Sequence, residues 1–298
     1  MSLSLLLFSI LLLSPSATPP AAAAAPSNRV VGDEFTYAMQ PGDSLARVGA
    51  RFGVDPPVLA GQNGVSITAV IPVGRVLKID NRHIVPAIPE DGILINVPQR
   101  LLFYFEAGNV VAWYPVGLGR ADWPTPRGSF FIATKEEQPV WDVPRSIQEE
   151  MRREGKKVET RVPPGPRNPL GSYWMGLTAS SCGIHGTTAP TSVYRFQTHG
   201  CIRLHPDDVA DLFPRVSIGT PVELIYRPVL LARSEDGSLW LESHPDVYRE
   251  GADPLEFLDP EMAIVDRALA REVIRKSEGI ATRISPGKPG DPPQAGKN

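Results

Sequence analysis

Thr198-His199-Gly200-Cys201-Ile202-Arg203-Leu204, with Ile184-His185-Gly186-Thr187 just upstream, is the stretch around which this chain is organised. One of only two cysteines follows a glycine directly, with a histidine before it and an arginine after it. A sulfur nucleophile needs a base, positive surroundings for the thiolate, and bare backbone N–H groups for an oxyanion. On an extended strand His199, Cys201 and Arg203 share one face. His185 lies a hairpin's length back, close enough in sequence for a turn to return it to Cys201.

Each residue has an assignable task. Cys201 is the candidate nucleophile, since a cysteine wrapped in His, Gly and Arg is poorly suited to a core. An ordinary thiol, with pKa near ~8.5, is mostly protonated at neutral pH, so His185 as base or a cationic neighbour must favour the thiolate. Gly200 lets the N–H groups of Gly200 and Cys201 face an oxyanion without a side chain in the way. Arg203 is placed to bind a carboxylate or to raise the local positive potential. His199 shapes the pocket or shares in proton handling. Cys182, three positions before His185, is expected to pack beneath the sheet on the other side. A Cys182–Cys201 disulfide would block the chemistry. A rival reading gathers Cys182, His185, His199 and Cys201 into a zinc site, although Cys182 and His185 should diverge on a strand.

Working outward, residues 92–226 read as mainly β, a sandwich or open barrel. Ile93-Leu94-Ile95, Leu101 to Phe105, Val110 to Tyr114 and Ser129 to Ile132 are short apolar runs separated by turn residues. Residues 135–167 interrupt them with Trp141, a charged helix-prone run from Ser146 to Lys157, and Pro163-Pro164-Gly165-Pro166. An insertion of this length suggests a lid. Before the β region, residues 34–81 read as strand, two helices, strand. Glu34 to Met39 alternates, Asp43-Ser44 starts a helix, Gly53 stops it, and Val76 to Ile79 returns as a strand.

Both parts resemble known families. Residues 92–226 resemble the L,D-transpeptidase catalytic domain through the two motifs above. Thr125-Pro126-Arg127-Gly128, Asn168-Pro169-Leu170-Gly171 and Gly219-Thr220-Pro221-Val222 support the match. Residues 34–81 resemble the LysM domain through Tyr37, Gly42-Asp43-Ser44-Leu45, Phe52-Gly53-Val54, Leu59, Asn63 and Pro72-Val73-Gly74. The first resemblance implies that Cys201 attacks the bond between the L-centre of diaminopimelate and D-alanine in a peptidoglycan tetrapeptide stem. His185 is then the base, oriented by the Gly186 carbonyl. A thioester forms and an amine resolves it, giving a 3→3 cross-link or an anchored envelope protein; water would make the enzyme a carboxypeptidase. The same resemblance implies a carbapenem target acting in wall synthesis and cell shape, with no cofactor and no metal. The second implies binding to glycan strands. The alternative is a peptidoglycan-binding protein without catalysis.

The rest of the chain bounds this reading. A net charge of -3 over 298 residues gives no footprint of a nucleic-acid partner. Leu3 to Leu13 is apolar, broken by Pro15, Pro19 and Pro20, and followed by Ala21 to Ala25. Residues 1–25 therefore read as a secretory signal, although no Lys or Arg precedes the apolar run. It is too short for a transmembrane helix, so the mature chain is expected to be exported to the periplasm or cell wall. Residues 82–91 read as a linker with His83 exposed. Residues 227–283 read as a hairpin, Val229-Leu230-Leu231 and Leu239-Trp240-Leu241 around Asp236-Gly237, with His244 at the surface. A helix from Asp259-Pro260-Glu261 follows, with Met262, Val265, Leu269 and Val273 on one face, and residues 284–298 read as a disordered tail.

Overall fold

The computed structural model describes residues 27–178, 182–250 and 266–285. The signal segment 1–25, the helix start at Asp259-Pro260-Glu261 with Met262 and Val265, and the tail beyond Ser285 lie outside the described residues. Among the described residues no helix is long and apolar enough to cross a membrane.

In chain order the elements are β1 (Val30–Val31), β2 (Glu34–Ala38), α1 (Leu45–Phe52), α2 (Pro56–Gln62), β3 (Val76–Asp80) and β4 (His83–Ile84). Then come β5 (Gly92–Asn96), β6 (Leu101–Glu106), β7 (Asn109–Gly119), β8 (Gly128–Glu137), β9 (Trp141–Asp142), α3 (Arg145–Arg153) and β10 (Arg161–Val162). These are followed by β11 (Tyr173–Leu177), β12 (Gly183–His185), β13 (Phe196–Thr198), β14 (Ile202–Leu204), α4 (Pro206–Arg215) and β15 (Pro221–Ile225). The chain ends with β16 (Val229–Arg233), β17 (Leu239–Ser243), α5 (Arg267–Lys276) and β18 (Thr282–Arg283).

The N-terminal unit pairs β2 with β3 antiparallel and lays α1 and α2 across them. Ser44 caps α1 by accepting from the Arg47 N–H, and Gly53 ends it in the left-handed region at φ 73°. Leu45, Val48, Leu59, Leu77 and Ile79 form its core, all 4% exposed or less.

The larger unit is one sheet in the order β13-β7-β14-β12-β11-β8-β15-β5-β6. The long strand β7 pairs with β14 at one end and with β6 at the other, so the sheet closes on itself. Closure removes the free edges that an open barrel would leave. Ile95, Leu102, Val116, Leu118, Met175, Ile184, Ile202 and Leu204 fill the interior with no exposed surface. The insertion after β8 contributes the small β9–β10 pair and α3.

Residues 82–91 are not a free linker. His83 and Ile84 form β4, pair with β1, and have no exposed surface, as does Val85. His83 is buried rather than exposed because its Nδ1 meets Glu242 Oε1 at 2.9 Å and its Nε2 meets the Gly53 carbonyl at 3.1 Å. His244 is likewise buried, not at the surface, with Nε2 at 2.7 Å from the same Glu242 oxygen. The β16–β17 hairpin forms with Leu231 opposite Leu241, and β18 adds a third strand. Helix α5 begins at Arg267, capped by Asp266, and packs Leu269 and Val273 on this sheet. Ile284 is not part of a disordered tail: it is fully buried against Val229, Leu239 and Leu241.

Candidate active site

The site lies where β12 and β14 run parallel, with Ile184 opposite Ile202 and His185 opposite Arg203. Strand β13 stops at Thr198 and β14 starts at Ile202, so His199-Gly200-Cys201 is a turn rather than an extended strand. Gly200 stands at φ 103°, a conformation that side-chain-bearing residues rarely adopt. Thr198 braces the turn: its hydroxyl donates to the Cys201 carbonyl at 2.6 Å and accepts from the Gly200 N–H at 3.2 Å. The Gly200 N–H is therefore not bare, contrary to the expectation from sequence, because the turn folds it back onto the Thr198 hydroxyl. Even without a straight strand, His199, Cys201 and Arg203 all line one cleft of about 750 Å3, together with His185.

Cys201 is partly exposed in that cleft and hydrogen-bonded to both Cys182 and His185. His185 is 3% exposed. Its Nδ1 donates to the Gly186 carbonyl at 2.7 Å, which leaves Nε2 for the sulfur. The His185 ring also stacks on Trp174, centroids 5.9 Å apart. That arrangement needs Gly183, since a Cβ there would come within 2.5 Å of the Trp174 ring.

Cys182 does not pack on the far side. It sits two residues before Ile184, as Gly200 sits two before Ile202, so the parallel pairing sets the two segments side by side. Its sulfur lies 3.2 Å from the Gly200 carbonyl and beside Cys201. Neither cysteine is in a disulfide. The hydrogen bond from Cys182, and after it His185, holds the Cys201 thiol well below its ordinary range despite burial. The same contact and burial push the Cys182 thiol up, so Cys182 keeps the proton. The zinc grouping is not assembled. His185 Nδ1 is taken by Gly186 and His199 Nε2 by Glu150, and no three candidate ligands cluster among the described residues.

Arg203 faces the cleft with a buried Nε that has no hydrogen-bond partner. Burial lowers its pKa, and the neighbouring Cys201 opposes that shift. His199 bonds outward, with Nε2 2.6 Å from Glu150 Oε2. Glu150 belongs to α3 of the insertion and also accepts from Arg120 Nη2 at 2.7 Å. The Trp123 ring packs at a 59° tilt against His199, centroids 4.2 Å apart. The insertion thus walls the cleft with Trp141, Ile147, Glu150 and Met151.

Sequence reasoning assigned no role to Thr198, Trp174, Trp123, Glu150 or Arg120. Thr198 had a usable local signal, a hydroxyl two residues before a turn glycine. The others are brought in by strand register, by the loop between β7 and β8 and by the insertion, for which the sequence carries no local signal.

A fully closed, mostly antiparallel barrel with a thiol–imidazole–carbonyl relay at one cleft defines a cysteine acyltransferase type of site. Residues 90–224 match the L,D-transpeptidase catalytic domain family and residues 37–80 match the LysM domain family. A probable L,D-transpeptidase ErfK/SrfK of Salmonella typhimurium is 34% identical over 88% of this chain and 90% of its own length. Its Escherichia coli counterpart is 31% identical over 87% and 89%, and the probable L,D-transpeptidase YbiS of Escherichia coli is 30% identical over 71% and 74%. The chain belongs to the L,D-transpeptidase family, as an enzyme with a LysM domain ahead of its catalytic domain.

Proposed function

We propose that this enzyme cleaves the bond between the L-centre of the third residue and the terminal D-alanine of a peptidoglycan tetrapeptide stem. The Cys201 thiolate attacks the carbonyl carbon, and the electron pair moves to the carbonyl oxygen. His185 carries the thiol proton to the departing D-alanine amine, and a thioester to Cys201 remains. Its ring is held in the right tautomer by the Gly186 carbonyl, so that Nε2 is the nitrogen exchanging the proton. An amine from a second stem, or from an envelope protein, then attacks the thioester and regenerates the thiol.

The observation that carries this reading is the Cys201–His185–Gly186 relay opening on a cleft wide enough for a peptide. Arg203, with an unsatisfied buried Nε, is assigned to the substrate carboxylate. His199 is assigned to anchoring the insertion, residues 135–167, which acts as a lid over the cleft. The oxyanion is assigned to the Cys201 N–H, with Gly200 joining when its bond to Thr198 exchanges. The LysM domain holds the enzyme on glycan strands after export to the periplasm or wall.

The test is digestion of purified wall material. Wild type releases D-alanine from tetrapeptide stems, while Cys201→Ala releases none and still binds glycan. Release by Cys201→Ala would overturn the reading. Product analysis of the same digests separates 3→3 cross-links from protein-anchored and hydrolysed stems.

A further inference from the structure

One row of residues crosses the floor of the cleft. Trp174 on β11 pairs with Glu136 on β8 and with His185 on β12, and His185 pairs with Arg203 on β14. Residues opposite each other on adjacent strands project to the same face. All four line the cleft. With strands about 4.8 Å apart, Glu136 stands roughly 10 Å from His185 and roughly 14 Å from Arg203.

The two ends of this row carry opposite charge and are both unsatisfied. Arg203 has its buried Nε without a partner. Glu136 is exposed to the cleft, and no cation among the described residues pairs with it. The other acids of the cleft wall are engaged: Glu150 with Arg120 and His199, Glu154 with Lys156 at 2.7 Å, and Asp142 with Arg161 at 3.5 Å. Beside Glu136 lies the Trp174 indole, a surface that favours cations.

We propose that Glu136 and Trp174 form a specificity subsite for a side-chain ammonium on the acylating substrate. The substrate class is a peptide bearing a carboxylate at the Arg203 end and a free amine on a long side chain at the Glu136 end. This rests on the reading of the reaction above. With the scissile carbonyl at Cys201, the leaving residue's carboxylate points to Arg203. The side chain of the residue that becomes the thioester reaches the other way, and its length plus that of the glutamate spans the gap. The ammonium held there is too far from the sulfur to be the amine that resolves the thioester. Glu136 therefore selects the donor without taking part in bond making.

The test compares two tetrapeptide stems, one with the third residue's side-chain amine free and one with it acetylated, using wild type, Glu136→Gln and Glu136→Lys. Alkylation of Cys201 by iodoacetamide, a neutral reagent, reports the integrity of the site in each variant. Glu136→Gln is expected to lower kcat/KM for the free-amine stem by about 3- to 10-fold. The acetylated stem should stay within about twofold, since it has no charge for Glu136 to hold. Glu136→Lys should disfavour the free-amine stem further, with alkylation unchanged. Equal effects on both stems, or none on either, would overturn the subsite alone. Failure of wild type to turn over either stem, with Cys201 alkylating normally, would overturn the parent reading and the subsite with it.

Discussion

His83 and Glu242, 159 residues apart in the chain, meet in the interior with Nδ1 2.9 Å from Oε1 and no exposed surface on either side chain. Both ring nitrogens of His83 face oxygen atoms. Glu242 also takes hydrogen bonds from Gln99 at 3.1 Å, from the Ile84 N–H at 2.5 Å and from His244. One carboxylate thereby joins the LysM domain, through Gly53, to the first barrel loop and the C-terminal hairpin. A buried carboxylate is tolerable only with such a full set of donors.

Removing that carboxylate is expected to loosen all three parts. Glu242→Ala leaves His83 and His244 buried without their acceptor, and should cost about 3–5 kcal/mol of unfolding free energy. Urea unfolding at neutral pH measures it, and a loss below about 1 kcal/mol would contradict the account.

The same cluster sets an acid limit. Partner histidines hold the Glu242 carboxyl down to about 2 in the folded state, against burial, from an ordinary value of 4.5. Its stabilising contribution, on the order of 3 kcal/mol, is present above pH 4.5 and is lost as pH falls towards 2. Burial also lowers the His244 pKa, so the unfolded chain takes up that proton first and stability falls further below the ordinary 6.5. Thermal melts across pH 3–7 should therefore show Tm falling with acid in wild type and less steeply in Glu242→Gln.

Cys182 is expected to tune its neighbour. Its thiol hydrogen bond is the largest influence lowering the Cys201 pKa. In wild type the rate of iodoacetamide alkylation at Cys201 should rise to half its maximum at a pH well under the ordinary thiol value. Cys182→Ala moves that midpoint upward, and the added loss of His185 in a double variant moves it further. A midpoint unchanged in Cys182→Ala would remove the thiol–thiol contact from the account.

Glu150 fastens the insertion to the site. Hydrogen bonds from Arg120, and then from His199, hold its carboxyl below the usual range. Glu150→Ala cuts both ties and is expected to raise KM for a stem peptide by about 3- to 10-fold, with kcat changed less. A fall in kcat at constant KM would instead place Glu150 in the chemistry.

Gly183→Ala tests the floor of the cleft. Its Cβ would meet the Trp174 ring at 2.5 Å and force the indole off His185. Overpacking of this kind costs about 1–3 kcal/mol, and acylation should slow together with the loss of stability.

The short-range content of the chain is what its sequence alone determined. The apolar alternation of β2 and β3, the Ser44 cap, the Gly53 stop and the Asp236-Gly237 hairpin each depend on neighbours a few residues away. The pairing of Cys201 with His185 was legible because both sit in compact motifs whose residue types match one chemistry. Long-range register was decided only in three dimensions. It closed the barrel, set Glu136, Trp174, His185 and Arg203 in one row, and turned Cys182 towards Cys201. It also buried His83 and His244, which in isolation read as surface residues. A strand's side-chain pattern says which faces are apolar but not which strand lies alongside, and a polar side chain's partner is fixed by that neighbour.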